Sequence, residues 1–279
     1  MVASDGRTIA DDARARISAA DLTIAYSSLT DRVKNIELPR AASAAELLIV
    51  TQRRDGAEDA VVPGAISGTA SVTALDSLGV AKSRNVALAK AGRRFLLFAD
   101  DDVAIYLGGV LDAATHLART GAALALGCAV DDSRHTRGRR STHPEKLTLL
   151  NSGRAATYLM LVDVEQVRAS GVRFDERFGA GMPNYLGDEY IFIADLLHAG
   201  LRGHSVPQVF GMHPAQSSGV LWSVGRDLPA RAAAIERAWG SRAVLPKAGI
   251  AVKNWGKIRS VRAAARFVFA RHLPDAVAT

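Results

Sequence analysis

The run FLLFADDDV at residues 95–103 is apolar and strand-like, and it ends on three consecutive carboxylates, Asp100, Asp101 and Asp102. Acid at that density needs cationic partners. Hard oxygen donors suit Mg²⁺ or Mn²⁺, and Mg²⁺ is usually held by only one or two carboxylates together with substrate phosphates. In open α/β sheets ligands settle just beyond the carboxyl ends of the strands, which is where this triplet falls. The chemistry expected is metal-assisted work on a phosphate-bearing substrate. The bland reading of the same residues is a solvated turn that caps the helix beginning near Tyr106.

Other residues extend the pattern. GVAKSRNVALAKAG, residues 79–92, places Arg84 and Asn85 near the start of a helix, where phosphate is attracted and an arginine adds a two-pronged donor. Gly187-Asp188-Glu189 sets two carboxylates at another helix start, favourable for negative charge and suited either to capping or to proton transfer. Ser27 and Gln52, each just past an apolar run, can hydrogen-bond a ligand or serve as ordinary turn residues. A glycine-rich turn at 179–183, with Gly181 and then Tyr185, either lets a ligand approach the backbone closely or only meets a φ requirement, and Trp222 can stack on a ring or be buried.

These residues need a frame. Apolar runs at 22–26, 47–51, 95–99 and 122–130 read as buried strands, and helical patterns at 31–36, 80–90 and 106–119 separate several of them. That alternation predicts a largely parallel sheet covered on both faces. Residues 131–146, DDSRHTRGRRSTHPEK, have no periodic apolar positions and read as a mobile loop whose Arg134, Arg137, Arg139 and Arg140 either close over ligand or are simply solvated. A strand at 157–163, a helix at 188–199, a short strand at 202–206 and a loop at 207–219 follow. Two helices, 229–239 and 257–272, end the chain.

Composition narrows the class. A chain of 279 residues with 48% hydrophobic residues can bury a sizeable core, and no apolar run approaches the ~18 residues of a spanning helix. Charges interrupt the first thirty residues too often for a secretory signal, and the single Cys128 excludes an intrachain disulfide, so a cytoplasmic location is expected. The net charge of +7 is not spread evenly: residues 226–279 carry eleven Lys and Arg against three acids, leaving the main body close to neutral. That body has no interleaved basic and aromatic residues, so no nucleic-acid partner is expected. In the tail, Ile258, Val261, Ala265, Val268 and Phe269 fall on one helical face flanked by Arg259, Arg262 and Arg266. Such a helix either packs on the catalytic domain or touches an anionic membrane surface, here the inner face of the membrane.

Taken together, Ser-Arg-Asn in a small-residue helix, an apolar strand closing on Asp-x-Asp, FDERFGAGMPNYLGDEYIF at 174–192, and His213 with Ser217 resemble family 2 glycosyltransferases of the GT-A fold. The resemblance spans residues 23–218. It implies an α/β fold, a GT-A (nucleotide-diphospho-sugar transferase) domain over 1–225 with a mostly parallel Rossmann-like sheet, followed by a basic helical appendage over 226–279. It further implies that Asp100 and Asp102 hold a divalent metal, Mn²⁺ or Mg²⁺, with His213 as a further ligand or phosphate contact and Asp101 near the ribose. Arg84 and Asn85 would meet the diphosphate, Tyr26, Ser27 and Gln52 the nucleoside, and Gly181, Tyr185 and Trp222 the acceptor. Glu189 aligns with the family's base, with Asp188 in support, although the order of the two acids is swapped and either can take the part. The implied reaction passes a sugar from a nucleotide donor, uridine diphosphate favoured, to a hydroxyl of a carbohydrate or lipid-linked acceptor with inversion. A catalytically silent nucleotide-sugar binding module on the same fold is the alternative.

Overall fold

A computed structural model describes residues 17–39, 42–54, 68–131, 136–137 (backbone only), 142–153, 155–213 and 225–273. Its centre is a ten-stranded sheet among the described residues, built from β1 (Leu22–Leu29), β2 (Glu46–Gln52), β3 (Ala70–Leu75), β4 (Phe95–Asp100), β5 (Ala104–Ile105), β6 (Leu124–Val130), β7 (Thr136–Arg137), β8 (Glu145–Lys146), β9 (Met160–Asp163) and β10 (Gly203–Met212). The order is β3-β2-β1-β4-β9-β6-β10-β5, with β7 on β6 and β8 on β10. Strands β3, β2, β1 and β4 run parallel, as do β6 and β10; β9 is antiparallel between β4 and β6. Buried Leu, Ile, Val and Phe fill β1, β2, β4 and β6 on both faces, as a covered sheet requires.

The helices are α1 (Val80–Lys90), α2 (Leu107–Thr120), α3 (Val164–Ser170), α4 (Asp188–His198), α5 (Asp227–Trp239), α6 (Val244–Lys253), α7 (Trp255–Ile258) and α8 (Val261–Phe269). Helix α1 occupies the expected residues, and the segment expected as a helix near 31–36 is a 3₁₀ helix over Thr30–Asn35. The tail helices enclose a second apolar cluster of Leu228, Ala232, Ile235, Phe267 and Val268, while Ala233 and Ala234 of α5 pack against Phe178 and against Ile191 of α4.

Further expectations differ from the structure. The loop expected from residue 207 is strand as far as Met212: β10 passes through Pro207 because its register with β6 slips between Ser205 and Val209, and a bulge tolerates a residue that cannot donate. The continuous tail helix at 257–272 is broken. Arg259 adopts a left-handed conformation with φ 48°, and the Ser260 hydroxyl caps α8 by accepting from the Ala263 amide at 3.2 Å. Its apolar face is divided as well: Ile258 and Val268 are buried with Phe267, while Val261 and Phe269 point outward. Neither the edge strand β3 nor helix α6 was signalled, since β3 buries little and α6 lacks a clear cap.

Candidate active site

Parallel register lines up the carboxyl ends of three strands. Ser27 of β1 stands opposite Val50 of β2 and Asp100 of β4, so Ser27, Ser28, Gln52 and the acidic triplet share one rim. Asp101 turns inward and is buried; its carboxylate accepts from the Ser28 hydroxyl at 2.6 Å and meets Arg32 at 2.5 Å. Burial pushes its pKa up, with the Ser28 bond and Arg32 pulling the other way. Asp102 is the most exposed of the three, with Arg32 at 3.2 Å and His213 Nε2 at 3.5 Å.

Arg84 joins the triplet to the distant pair. Buried on α1, its guanidinium lies 3.5 Å from Asp100 and donates a hydrogen bond to Asp188 at the start of α4, a residue 104 positions away in the chain. Beneath this bridge Phe98, Phe174 and Phe192 pack together, with Phe174 and Phe192 stacked at 4.0 Å and Phe98 edge-on to Phe174 at 5.3 Å. One ring comes from the strand that carries the acidic triplet and two from the 174–192 segment, and their burial brings the two segments to a common place. Asn85, beside Arg84, does not face the cleft. Its amide donates to the Phe174 carbonyl at 3.0 Å and to Glu176 at 2.9 Å, and its Oδ1 accepts from the Phe174 amide at 2.8 Å, which fixes the 174–176 segment.

Two glycines make room for the start of α4. A Cβ on Gly179 would lie 2.8 Å from both Asp188 Cγ and Val80 Cγ1, and one on Gly187, which has φ +93°, would lie 2.4 Å from Ala234 of α5. Helix α4 is therefore wedged between α1 and α5, and its first-turn acids cannot swing away. Asp188 is consumed by Arg84. Glu189 is partly exposed, and its Oε1 accepts from the Thr157 hydroxyl at 3.0 Å. Burial, then the Asp188 charge, push the Glu189 pKa up to about 8, with Arg84 opposing.

His213 directly follows β10, its amide bonded to the Val130 carbonyl at 3.0 Å and its ring stacked on Tyr158 at 4.7 Å. Thr157 and Tyr158 are neighbours in a 3₁₀ turn, Thr157–Leu159, so one short turn supports both Glu189 and His213. The sequence did not expose that role. TYLMLVD reads as an unbroken strand because Thr and Tyr favour strands.

The remaining candidates are placed as follows. Tyr26 is wholly buried in the core, its hydroxyl directed at the Glu37 carbonyl at 3.4 Å, and burial raises its pKa. Gln52 donates to the Ser83 hydroxyl at 2.8 Å. Gly181 lies against Gly79 at the start of α1. Tyr185 bonds Asp227 and has Arg226 over its ring at 4.0 Å, tying the glycine-rich turn to α5. Trp222, Ser217, Arg134, Arg139 and Arg140 lie outside the described residues, as does the side chain of Arg137.

Among the described residues no group of three or more His, Cys, Asp or Glu side chains closes around a metal position. Asp102 and His213 form an open pair of a hard oxygen and an imidazole donor, with Asp100 close by on Arg84. Two protein ligands are compatible with Mg²⁺ or Mn²⁺ when phosphates and water complete the sphere.

No protein-family model matches this chain, and no curated protein matches it in sequence. Solved structures do match. Over 90% of this chain and 76% of the other, it is similar to a crystal structure of S. aureus TarS 1–349 in complex with UDP-GlcNAc, with a TM-score of 0.54 and 14% identity. A TarS 1–349 complex with UDP matches at a TM-score of 0.52 and 16% identity, over 90% and 75% of the two chains. GalNAc-T7 with UDP, GalNAc and Mn²⁺ matches at 0.52 and 13%, over 81% of this chain and 51% of that one. These neighbours are glycosyltransferases, and the likeness identifies the fold of this chain as GT-A.

Proposed function

We propose that this chain is a metal-dependent glycosyltransferase that moves a sugar from a nucleotide diphosphate, most naturally a uridine one, to an acceptor hydroxyl with inversion, in polysaccharide or glycolipid synthesis. The observation that carries the proposal is the Arg84 bridge, which links Asp100 at the strand end to Asp188 at the start of α4. The UDP and UDP-GlcNAc held by TarS, and the UDP and Mn²⁺ held by GalNAc-T7, support a donor of that class on this fold.

Asp102 and His213, with Asp100 beside them, are the residues that would hold the divalent ion. Bound there, the ion supplies Lewis-acid neutralisation of charge growing on the diphosphate leaving group. Ser27 and Gln52 on the strand-end rim receive the nucleoside, and Arg32, already on Asp101 and Asp102, is an exposed cation available to phosphate oxygens. Glu189 accepts the acceptor's proton. Asp188 is held by Arg84 and fixes the start of α4, which leaves Glu189, at the position that aligns with the family's base, to act on the acceptor. A single base facing the anomeric carbon across from the leaving group is the arrangement of an inverting reaction.

Nucleotide release over a panel of sugar nucleotides, with and without Mn²⁺, tests the reading. Metal-dependent release with one UDP-sugar, falling at least about a hundredfold in Asp102→Asn, is expected. Tight donor binding with no turnover on any acceptor would identify the silent binding module instead.

Thr157 is a positioning residue for this base. Its hydroxyl stabilises the charged carboxylate, so Thr157→Val moves the Glu189 pKa further up and lowers turnover at pH 7 by about tenfold, while Thr157→Ser restores both. The check is the pH profile of kcat/KM in all three proteins; a profile unmoved in the valine variant would remove Thr157 from this role.

A further inference from the structure

We propose that the outer face of helices α6 to α8 docks on an anionic lipid bilayer. Residues 237–274 contain nine Lys and Arg and no Asp or Glu. Arg237 and Lys247 are used internally, on Asp195 and Glu236, whereas Arg242, Lys253, Lys257, Arg259, Arg262, Arg266 and Arg271 are all exposed. Large apolar side chains are exposed among them. Leu245, Val252, Val261 and Phe269 are each 74–78% exposed, and Trp255 is 47% exposed.

The helical spacing makes stripes of these residues. Leu245 and Val252 stand seven apart on α6, and Val261, Ala265 and Phe269 stand four apart on α8 with Arg262 and Arg266 alongside. An apolar stripe edged by long cationic side chains is the surface pattern of a helix lying in a membrane interface, where the stems of Lys and Arg cover lipid and their charges reach the headgroups. Among the described residues no helix is long and apolar enough to cross a membrane, so contact is confined to the interface.

These side chains have no place inside the fold. The opposite face of the tail is already filled by Phe267 and Val268, and it is locked by the buried Glu236, which accepts from Lys247 at 2.7 Å and from the His272 and Leu273 amides at 2.8 and 3.0 Å. The outer face is thus held ready rather than formed on contact. Charge decides the occupant. A second copy would set seven exposed cations against the same seven, which opposes a symmetric pairing. Nucleic acid would use the cations but not the protruding Leu, Val and Phe.

Flotation of the full chain with vesicles of phosphatidylcholine, alone or mixed with phosphatidylglycerol, tests this independently of any catalytic reading. Binding is expected only to the mixed vesicles. A Leu245→Asp/Phe269→Asp variant and an Arg262→Gln/Arg266→Gln variant should each lose at least about tenfold in partition, with thermal melts and nucleotide release in detergent-free buffer unchanged. Absence of flotation by the parent, or flotation of either variant equal to the parent's, overturns the proposal. So does a dimer in light scattering that Phe269→Asp dissociates, or duplex DNA binding that survives Phe269→Asp and falls steeply with salt.

Discussion

Glu189→Gln is expected to lower turnover by three orders of magnitude or more while donor affinity stays within a few-fold of the parent, because only proton removal from the acceptor is lost. The pH profile gives the sharper test. A base works when deprotonated, and burial beside Asp188 holds this carboxyl near 8, so kcat/KM should climb with pH through a limb centred there and flatten above it. The same burial makes the residue costly to the fold. Its folded pKa lies above its unfolded value of 4.5, so ionising it opposes folding from about that pH upward, and the cost is complete once the pH exceeds the folded value. Glutamine has no charge to bury. The variant is therefore expected to be more stable than the parent by roughly 2–3 kcal/mol at pH 7, and no more stable at pH 4, in urea titrations. Loss of activity with lower stability at pH 7 would assign Glu189 to architecture instead.

Arg84→Met is expected to give the largest stability loss of any single substitution in the cleft. It leaves Asp188 buried without a counter-charge and Asp100 without its nearest cation, a situation that costs roughly 3–5 kcal/mol. In a chain of this size the melting temperature should fall by about 10 °C. The sign of the pH dependence follows. Burial already raises the Asp100 pKa against the pull of Arg84, and removing that pull raises it further, so the penalty acts only where the carboxylates are ionised. The gap between variant and parent should shrink as pH falls toward 4 in thermal melts. Arg84→Lys keeps the charge but loses the fork that reaches two carboxylates, and an intermediate stability is expected. A methionine variant that melts with the parent at pH 7 would mean the bridge is not formed in solution.

These effects centre on residues that the sequence singled out without revealing their partners. Asp100, Asp102 and Glu189 stood out because dense acid after an apolar strand, or at a helix start, is unusual enough to read directly. Arg84 also stood out, as a cation at a helix start awaiting phosphate, yet in the fold it is enclosed by two carboxylates. Asn85, beside it, serves the backbone of residues 174–176. Both lie on the buried side of α1, and nothing in SRNVALAK distinguishes a cleft-facing polar residue from one that meets a partner about ninety to a hundred positions away.

The identity of β1, β2, β4, β6 and α1 followed from local periodicity, because burial on two faces and 3.6-residue spacing leave their mark within a few residues. That is what the sequence determined by itself: a layered α/β chain with acid at a strand end, acid at a helix start and a basic tail. Tertiary structure decided the rest. The stacking of Phe98, Phe174 and Phe192, the wedging of Gly187 against Ala234, and the turn that presents Thr157 to Glu189 and Tyr158 to His213 are contacts between segments far apart in the chain. Only close packing selects which of the available polar groups meet, and it also turned Val261 and Phe269 outward when a face count had placed them with Ile258 and Val268.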